Sequence, residues 1–242
     1  MFTNTNALAI PEGNVISISK GTVKLWERYE EPTDGLPRTY QQVEWIGSDN
    51  STGNTRAFLD LGFTFDTKAR IEMTQYVTAQ TTGYAFGSAE NSGKLRCMLT
   101  SPNSNNANAL FYGSTGSAYI SVQPTLVNGS YNEFVFTLES GNLHAYNKTT
   151  GSEDAKTTQG AYIMTNNLYL FAQNYNGSAR YAGKTQIVSF KYYDKNDELI
   201  CDLVPCYRKS DGEIGMYDLI RKIFLTNIET GTTFLKGADV TT

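Results

Sequence analysis

The chain is poor in the residues that most often do chemistry. Its 242 residues include a single histidine and three cysteines. One His and no Cys-x-x-Cys pair exclude the common zinc sites, and no metal is expected on that ground. Cys97, Cys201 and Cys206 are an odd set, and the last two would face opposite sides of an extended strand. A disulfide framework is therefore not expected, and free buried thiols fit assembly in a reducing cytoplasm. No apolar run approaches the length of a bilayer span, and mean hydropathy is -0.38, so membrane insertion is not expected. The net charge is -4 and the 20 basic residues are scattered, which removes the electrostatic footprint of nucleic-acid binding. Met1-Phe-Thr-Asn-Thr-Asn lacks the basic start and apolar run of a secretory signal, so a chain beginning at its natural Met1 would not be exported by that route.

What is present reads as β-structure. The hydrophobic fraction is 40%, enough for a core, and all-β units often reach this length as one domain. From Leu36 onward short alternating runs recur: 57–65, 70–78, 84–87, 95–99, 109–112, 118–122, 133–139, 143–147, 168–172 and 186–193. Asn, Gly, Ser and Thr clusters separate them, and no window has convincing helical period. The expectation is an all-β antiparallel sandwich or jelly roll over residues 36–242. Phe134 with Phe136, Tyr169 with Phe171 and Phe190 with Tyr192 alternate as core residues should.

Both ends carry information. Residues 1–29 hold short strand-like pieces broken by turns, a β-hairpin-like segment too small to be stable alone, which must dock on something. Residues 30–35, with Pro32 and Gly35, read as a linker. At the other end Leu199–Val204 alternates, and Pro205 should stop pairing there or pass it to an edge. Ser210-Asp211-Gly212 is a turn, and extended pieces at 214–218 and 223–226 complete a C-terminal meander.

The run Asp202-Leu-Val-Pro-Cys-Tyr-Arg-Lys-Ser-Asp-Gly212, continued by Gly215-Met-Tyr-Asp218, Phe224-Leu-Thr-Asn227 and Gly231-Thr-Thr-Phe234, resembles the laminin-G/concanavalin A-like sandwich domains of phage structural proteins. Leu36-Pro37-Arg-Thr-Tyr40-Gln-Gln-Val43-Glu44-Trp45-Ile46 is similar to the opening element of those domains, and Leu168–Ala172 followed by Asn174 to a late core strand and its loop. The short Ser-Thr-Gly-Thr turn that follows the opening strand in the family is expanded here into Gly47–Thr55. The segment Ile10-Pro11-Glu-Gly-Asn-Val15, with Ile18, Leu25 and Trp26, resembles short N-terminal elements of virion proteins and is the expected virion-docking part.

The resemblance implies a concanavalin A-like jelly roll displayed on a virion, as a capsid decoration, head fibre or tail fibre, adhering without enzymatic activity to host or environmental glycans. It also implies a homo-oligomer, with trimers common in virion appendages, assembled in the host cytoplasm and resident on the virion surface. A purely structural particle-stabilising protein and a bacterial surface adhesin are the alternatives. Glucan-cleaving enzymes of this architecture share a Glu-x-Asp-x-(x)-Glu strand, and this chain has no such string. His144 is expected to point outward from a strand, with no nucleophile elbow near any Ser or Cys.

Tyr84, Tyr112, Tyr119, Tyr146, Tyr162 and Tyr175 stand near expected strand ends beside Gly, Asn or Ser, and with Asn174 they are the candidate ligand-binding residues. The bland reading, that these rings cover sheet edges, is the commoner one. Asp202, Arg208, Asp211 and Asp218 are expected to form a structural ion-pair network, with Arg208 as a fork tying two carboxylates across the closing strands. A ligand site there is the alternative. No cofactor is implied; calcium at Asp194-Lys-Asn196-Asp197-Glu198 is weighed against a plain turn, and the turn is preferred.

Overall fold

The computed structural model describes residues 35–48, 57–65, 68–77, 83–89, 94–98, 110–113, 120–139, 142–157, 164–180 and 185–241, with 94–98, 110–113 and 120–121 as backbone. In chain order the first strands are β1 (Tyr40–Gln42), β2 (Ile46–Ser48), β3 (Leu59–Thr64), β4 (Ala69–Val77), β5 (Tyr84–Ala89), β6 (Lys94–Met98), β7 (Leu110–Gly113), β8 (Ile120–Val122) and β9 (Ser130–Glu139). They are followed by β10 (Asn142–Asn147), β11 (Ser152–Thr157), β12 (Asn167–Leu170), β13 (Gln173–Tyr175), β14 (Ser178–Arg180), β15 (Gln186–Tyr193), β16 (Leu199–Arg208), β17 (Ile214–Asp218), β18 (Ile223–Thr226) and β19 (Phe234–Lys236). Among the described residues there is no helix, hence none long and apolar enough to cross a membrane.

The strands form two sheets, as the sequence pattern led us to expect. One has 11 strands with the path β11-β10-β9-β4-β15-β16-β17-β18, to which β1, β2 and β19 attach; the other has 8, with the path β14-β13-β5-β6-β7-β8, extended through β12 and β3. Pairing is antiparallel throughout except between β13 and β5. Alternation explains the layering. In β4, Ala69, Ile71, Met73, Gln75 and Val77 are buried while Arg70, Glu72, Thr74 and Tyr76 face out. In β9, Asn132, Phe134, Phe136 and Leu138 turn inward. The sheets meet where Phe86 of the smaller one contacts Phe136 (6.0 Å) and Phe190 (5.8 Å) of the larger, edge to face.

The two ends of the sandwich close on each other. Tyr40 lies opposite Arg208 and Gln42 opposite Cys206, Val43 bridges Asp239, and the Gln41 amide donates to the Val240 carbonyl at 3.0 Å. Pro205 does not end its strand, contrary to expectation: β16 runs through it and pairs β17 with Pro205 opposite Met216. Its missing donor falls on the other side, where the partner changes from β15, paired up to Leu203, to β1, paired from Cys206. The Pro205 carbonyl still accepts from Val43 N–H at 3.0 Å.

Leu168–Ala172, expected as one strand, is cut short. Phe171 has φ 70, reversing the chain after Leu170 so that β13 returns parallel to β5. The open sheet edges are sealed by side chains. Asp154 and Ser152 of β11 accept from Gln123 and Thr125 N–H at 2.8 and 2.9 Å. Asn227, just after β18, accepts from Phe58 N–H at 3.0 Å, just before β3.

Candidate functional site

The outward face of the larger sheet carries the most exposed aromatic side chain among the described residues. Tyr131 is 44% exposed. It stands opposite Tyr76 on β4, the two rings packed edge to face at 5.0 Å. The Tyr76 hydroxyl donates to the Gly129 carbonyl at 3.2 Å, and Gly129 N–H donates to the Val77 carbonyl at 2.7 Å. Gly129 has φ +71, a conformation glycine enters without steric cost, and this fixes the turn leading into β9. Beneath Tyr131 the next residue, Asn132, is fully buried. Its amide donates to the carbonyls of Val127 (2.8 Å) and Ser130 (3.1 Å), and its oxygen accepts from Val127 N–H (2.9 Å) and the Asn147 amide (2.9 Å). The loop beside Tyr131 is thus pinned from below through the Val127 backbone.

Along β9 the outward positions after Tyr131 are Glu133, Val135, Thr137 and Glu139. The register places Tyr146 beside Val135, with Glu153 on its far side and Glu72 beyond Val135. One row further, Thr137 lies between His144 and Arg70. Tyr131 and Val135 are about 13 Å apart at the usual strand rise. The face therefore offers an aromatic platform, a carboxylate and a second aromatic in line. Its other charges are paired: His144 Nε2 lies 3.2 Å from Glu153 Oε2, Lys191 Nζ 3.3 Å from Asp202, and Arg70 bonds Glu72 and Asp197 while its guanidinium lies 3.5 Å over the Tyr193 ring. Flat aromatic rings with carboxylates and hydroxyls between them suit ligands with apolar faces and hydroxyl edges.

The expected site residues divide. Tyr146 lies on this face, half-buried. Tyr84 does not belong to a surface: it is 4% exposed in β5, a strand buried at every position, so its ring cannot stack on a ligand. Asn174 is also interior, 3% exposed. Its amide donates to the Asn167 carbonyl at 2.9 Å and its oxygen accepts from Gly177 N–H at 2.8 Å, which makes it a brace for the β13–β14 hairpin. Tyr175 is half-buried in that hairpin, with the Arg180 guanidinium 3.9 Å over its ring. Tyr112 is described by its backbone in β7; Tyr119, Tyr162 and the docking residues Ile10, Pro11, Val15, Ile18, Leu25 and Trp26 lie outside the described residues. Tyr76 and Tyr131 were missed by reading the sequence, although Tyr131 is out of phase with Phe134 and Phe136 and so belongs to the opposite face.

The expected fork at Arg208 is not formed. Arg208 grips Asp211 alone, Nε at 3.0 Å and Nη2 at 2.6 Å from Oδ2, because Gly212 at φ +75 folds the β16–β17 hairpin back at that point. Those hydrogen bonds hold the Asp211 carboxyl below its usual range. Asp218 pairs with Leu203, about 16 Å down β16 from Arg208, too far to share it. Asp218 is instead tied to Arg221. It is 0% exposed and accepts from Arg221 Nε and from the N–H groups of Ile220 (2.9 Å), Arg221 (3.2 Å) and Asp202 (3.3 Å). Burial alone would raise its pKa, but the hydrogen bonds from Arg221 and Ile220 outweigh burial and hold the carboxyl below its usual range. Arg221 also donates to the Leu61 carbonyl on β3, so the pair joins the two sheets. In the run 194–198, Asp194 accepts from Asn196 and Glu198 N–H at 2.8 and 3.0 Å, a closed turn, and among the described residues no group of acids, Cys or His is arranged to hold a metal.

No protein-family model and no curated protein matches the chain. Among solved structures it is similar to a candidate carbohydrate-binding protein from Bacteroides ovatus, at 11% identity and TM-score 0.48 over 83% of this chain and 62% of that one. It is also similar to tailspike protein 2 of a phage of Escherichia coli O157:H7, full length, at 14% identity and TM-score 0.37 over 66% of this chain and 26% of that one. The enzymatically active domain of tailspike protein 2 from bacteriophage CBA120 matches at 15% identity and TM-score 0.38, over 72% of this chain and 30% of that one. The chain thus spans less than two thirds of the length of each.

Proposed function

We propose that this chain is a glycan-binding surface protein of a phage-like particle, in which a laminin-G/concanavalin A-like sandwich presents the Tyr131 face to sugars. The observation that carries the reading is the Tyr131 ring, exposed on an otherwise well-paired sheet face and braced against Tyr76 at 5.0 Å. A ring held this way meets a sugar face with little ordering cost. The virion part rests on the resemblance of 36–46 and 202–234 to phage structural domains, and the strands of these two segments close on each other. Residues 1–29 serve as the anchor to capsid or tail in this reading, and copies displayed together multiply a weak single-site affinity. Binding rather than hydrolysis is the activity proposed, since the platform is open to water and its Glu72 and Glu153 are engaged by Arg70 and His144.

A glycan array probed with the multimerised full chain tests this. The expected result is retention of a defined set of glycans and a loss of about two- to tenfold per site in Tyr131→Ala, the size of one aromatic contact, with no sugar released. Silence across the array, or retention indifferent to Tyr131→Ala, would sink the reading and favour a particle-stabilising protein that binds no sugar.

A further inference from the structure

A second group of polar side chains lies on the smaller sheet, in the hairpin β13–β14. Ala179 packs against the core and pairs with Asn174, so these two face inward. Gln173, Tyr175, Ser178 and Arg180 therefore share the opposite face, on which Gln173 is buried, Tyr175 half-buried, and Ser178 and Arg180 exposed. Gln173 pairs directly with Arg180, and Tyr175 is diagonal to it, with the guanidinium 3.9 Å over the ring.

Two features of this face point to a ligand. Gln173 is 2% exposed, and its Nε2 has no hydrogen-bond partner among the described residues. A buried N–H donor without an acceptor is costly, and native proteins rarely keep one that nothing fills. Arg180 pairs with no carboxylate among the described residues, and its guanidinium carbon lies 3.9 Å over the Tyr175 ring. The two groups without an acceptor are donors, the buried Gln173 amide N–H and the Arg180 guanidinium fork, and the Ser178 hydroxyl beside them can donate as well as accept. Around them the backbone is held rigidly. Asn176 at φ 50 and Gly177 at φ 84 make a tight left-handed turn, and Asn174 secures it from the interior.

We propose that the Gln173–Tyr175–Arg180 face binds the oxyanion of an acidic sugar, a uronate carboxylate or a sulfate ester. The guanidinium takes two oxygens in its fork, the Gln173 amide takes the third contact, and the exposed rim of Tyr175 meets the sugar ring. A neutral sugar leaves both donors without their charge-assisted bonds. The inference rests on the glycan-binding reading above, at a separate site on the other sheet.

The test is NMR titration of the full chain with sodium galacturonate, galactose 6-sulfate and galactose, reading the Gln173 side-chain amide and the Arg180 Nε–H. One or both anions should move these two resonances, and the one that does so assigns carboxylate or sulfate; galactose should not. Arg180→Gln should weaken anion binding about tenfold or more, the loss expected for a hydrogen bond to a charged group, while Tyr131→Ala leaves it intact. Equal shifts with galactose, shifts that survive Arg180→Gln, or no shift with either anion would overturn the proposal. If neutral glycans still bind through Tyr131 while neither anion moves Gln173, only this site falls; if no neutral glycan binds but the anions do, only the Tyr131 platform falls.

Discussion

Replacing Asp218 with Asn should cost the fold about 3 kcal/mol. Asp218 is wholly buried at the end of β17 and receives four hydrogen bonds, while its partner Arg221 reaches from the β17–β18 turn to the Leu61 carbonyl on the opposite sheet. Removing one member of a buried ion pair costs about 3–5 kcal/mol, because the other charge stays buried without compensation. Arg221 is 26% exposed, so water recovers part of that loss, which sets the expectation at the lower end. Asn keeps an oxygen for the Ile220 and Arg221 N–H groups but turns the charge-assisted contact into a neutral one. For a chain of this length about 3 kcal/mol corresponds to a fall in Tm of about 6–12 °C. Urea denaturation is the suitable assay, since guanidinium would screen the pair. The pH dependence follows from the lowered pKa. A carboxyl whose folded pKa lies below its unfolded value contributes stability that is fully present above about pH 3.9 and disappears as pH falls through the folded pKa. The difference between wild type and Asp218→Asn should accordingly be full at pH 7 and shrink toward pH 2. A difference under about 0.5 kcal/mol at pH 7, or one equally large at both pH values, would refute the assignment of Asp218 as the clasp. The exposed Arg208–Asp211 pair is the control: Asp211→Asn should leave the midpoint where it is.

Gly215→Ala should destabilise the closing meander by about 3 kcal/mol, since the new methyl would lie 2.1 Å from the Leu225 carbonyl and 3.0 Å from the Phe224 ring. Amide exchange at Leu225 reads the effect, and unchanged protection there would contradict the close approach of β17 to β18. In a Cys97→Ser background, Cys201 and Cys206 should resist a thiol reagent at pH 8 until the chain is unfolded. Burial pushes the Cys206 thiol up to about 12, and burial with the Asp218 carboxylate pushes Cys201 up as well. Labelling of either thiol at the rate of the denatured chain would argue against closure of this part of the core.

How much of this could be read from residues alone depends on how much apolar surface each strand buries. β4, β9 and β15 were legible because every second side chain fills the core, and Phe134, Phe136 and Phe190 set their phase. β11, with the sequence SEDAKT and no buried position, was not, nor were β13 and β14. Those segments are strands because a neighbouring ladder is available, not because their own pattern demands it. Pro205 misled for a related reason. A proline forbids one hydrogen bond on one side of a strand, and the chain meets that at the handover from β15 to β1. Tyr84 was misplaced because Gly83 beside it reads as a strand end, whereas β5 is covered on both faces and has no outward side.

The site residues carry a signal finer than composition. Tyr131-Asn132, Tyr146-Asn147 and Asn174-Tyr175 are neighbouring pairs, and successive residues of a strand point to opposite faces. In each pair the asparagine goes inward and the tyrosine outward. All three amides are satisfied by nearby backbone: Asn132 by Val127 and Ser130, Asn147 by the Thr125 carbonyl at 2.7 Å and Thr149 N–H at 3.1 Å, Asn174 by Asn167 and Gly177. A buried amide is tolerated only when its bonds are made, so each asparagine locks the turn next to its tyrosine. An aromatic ring on a locked turn loses little freedom when something stacks on it, whereas a ring on a loose loop loses much. The pairing of an inward Asn with an outward Tyr thus links the local sequence to the rigidity that the proposed glycan binding requires at each single contact.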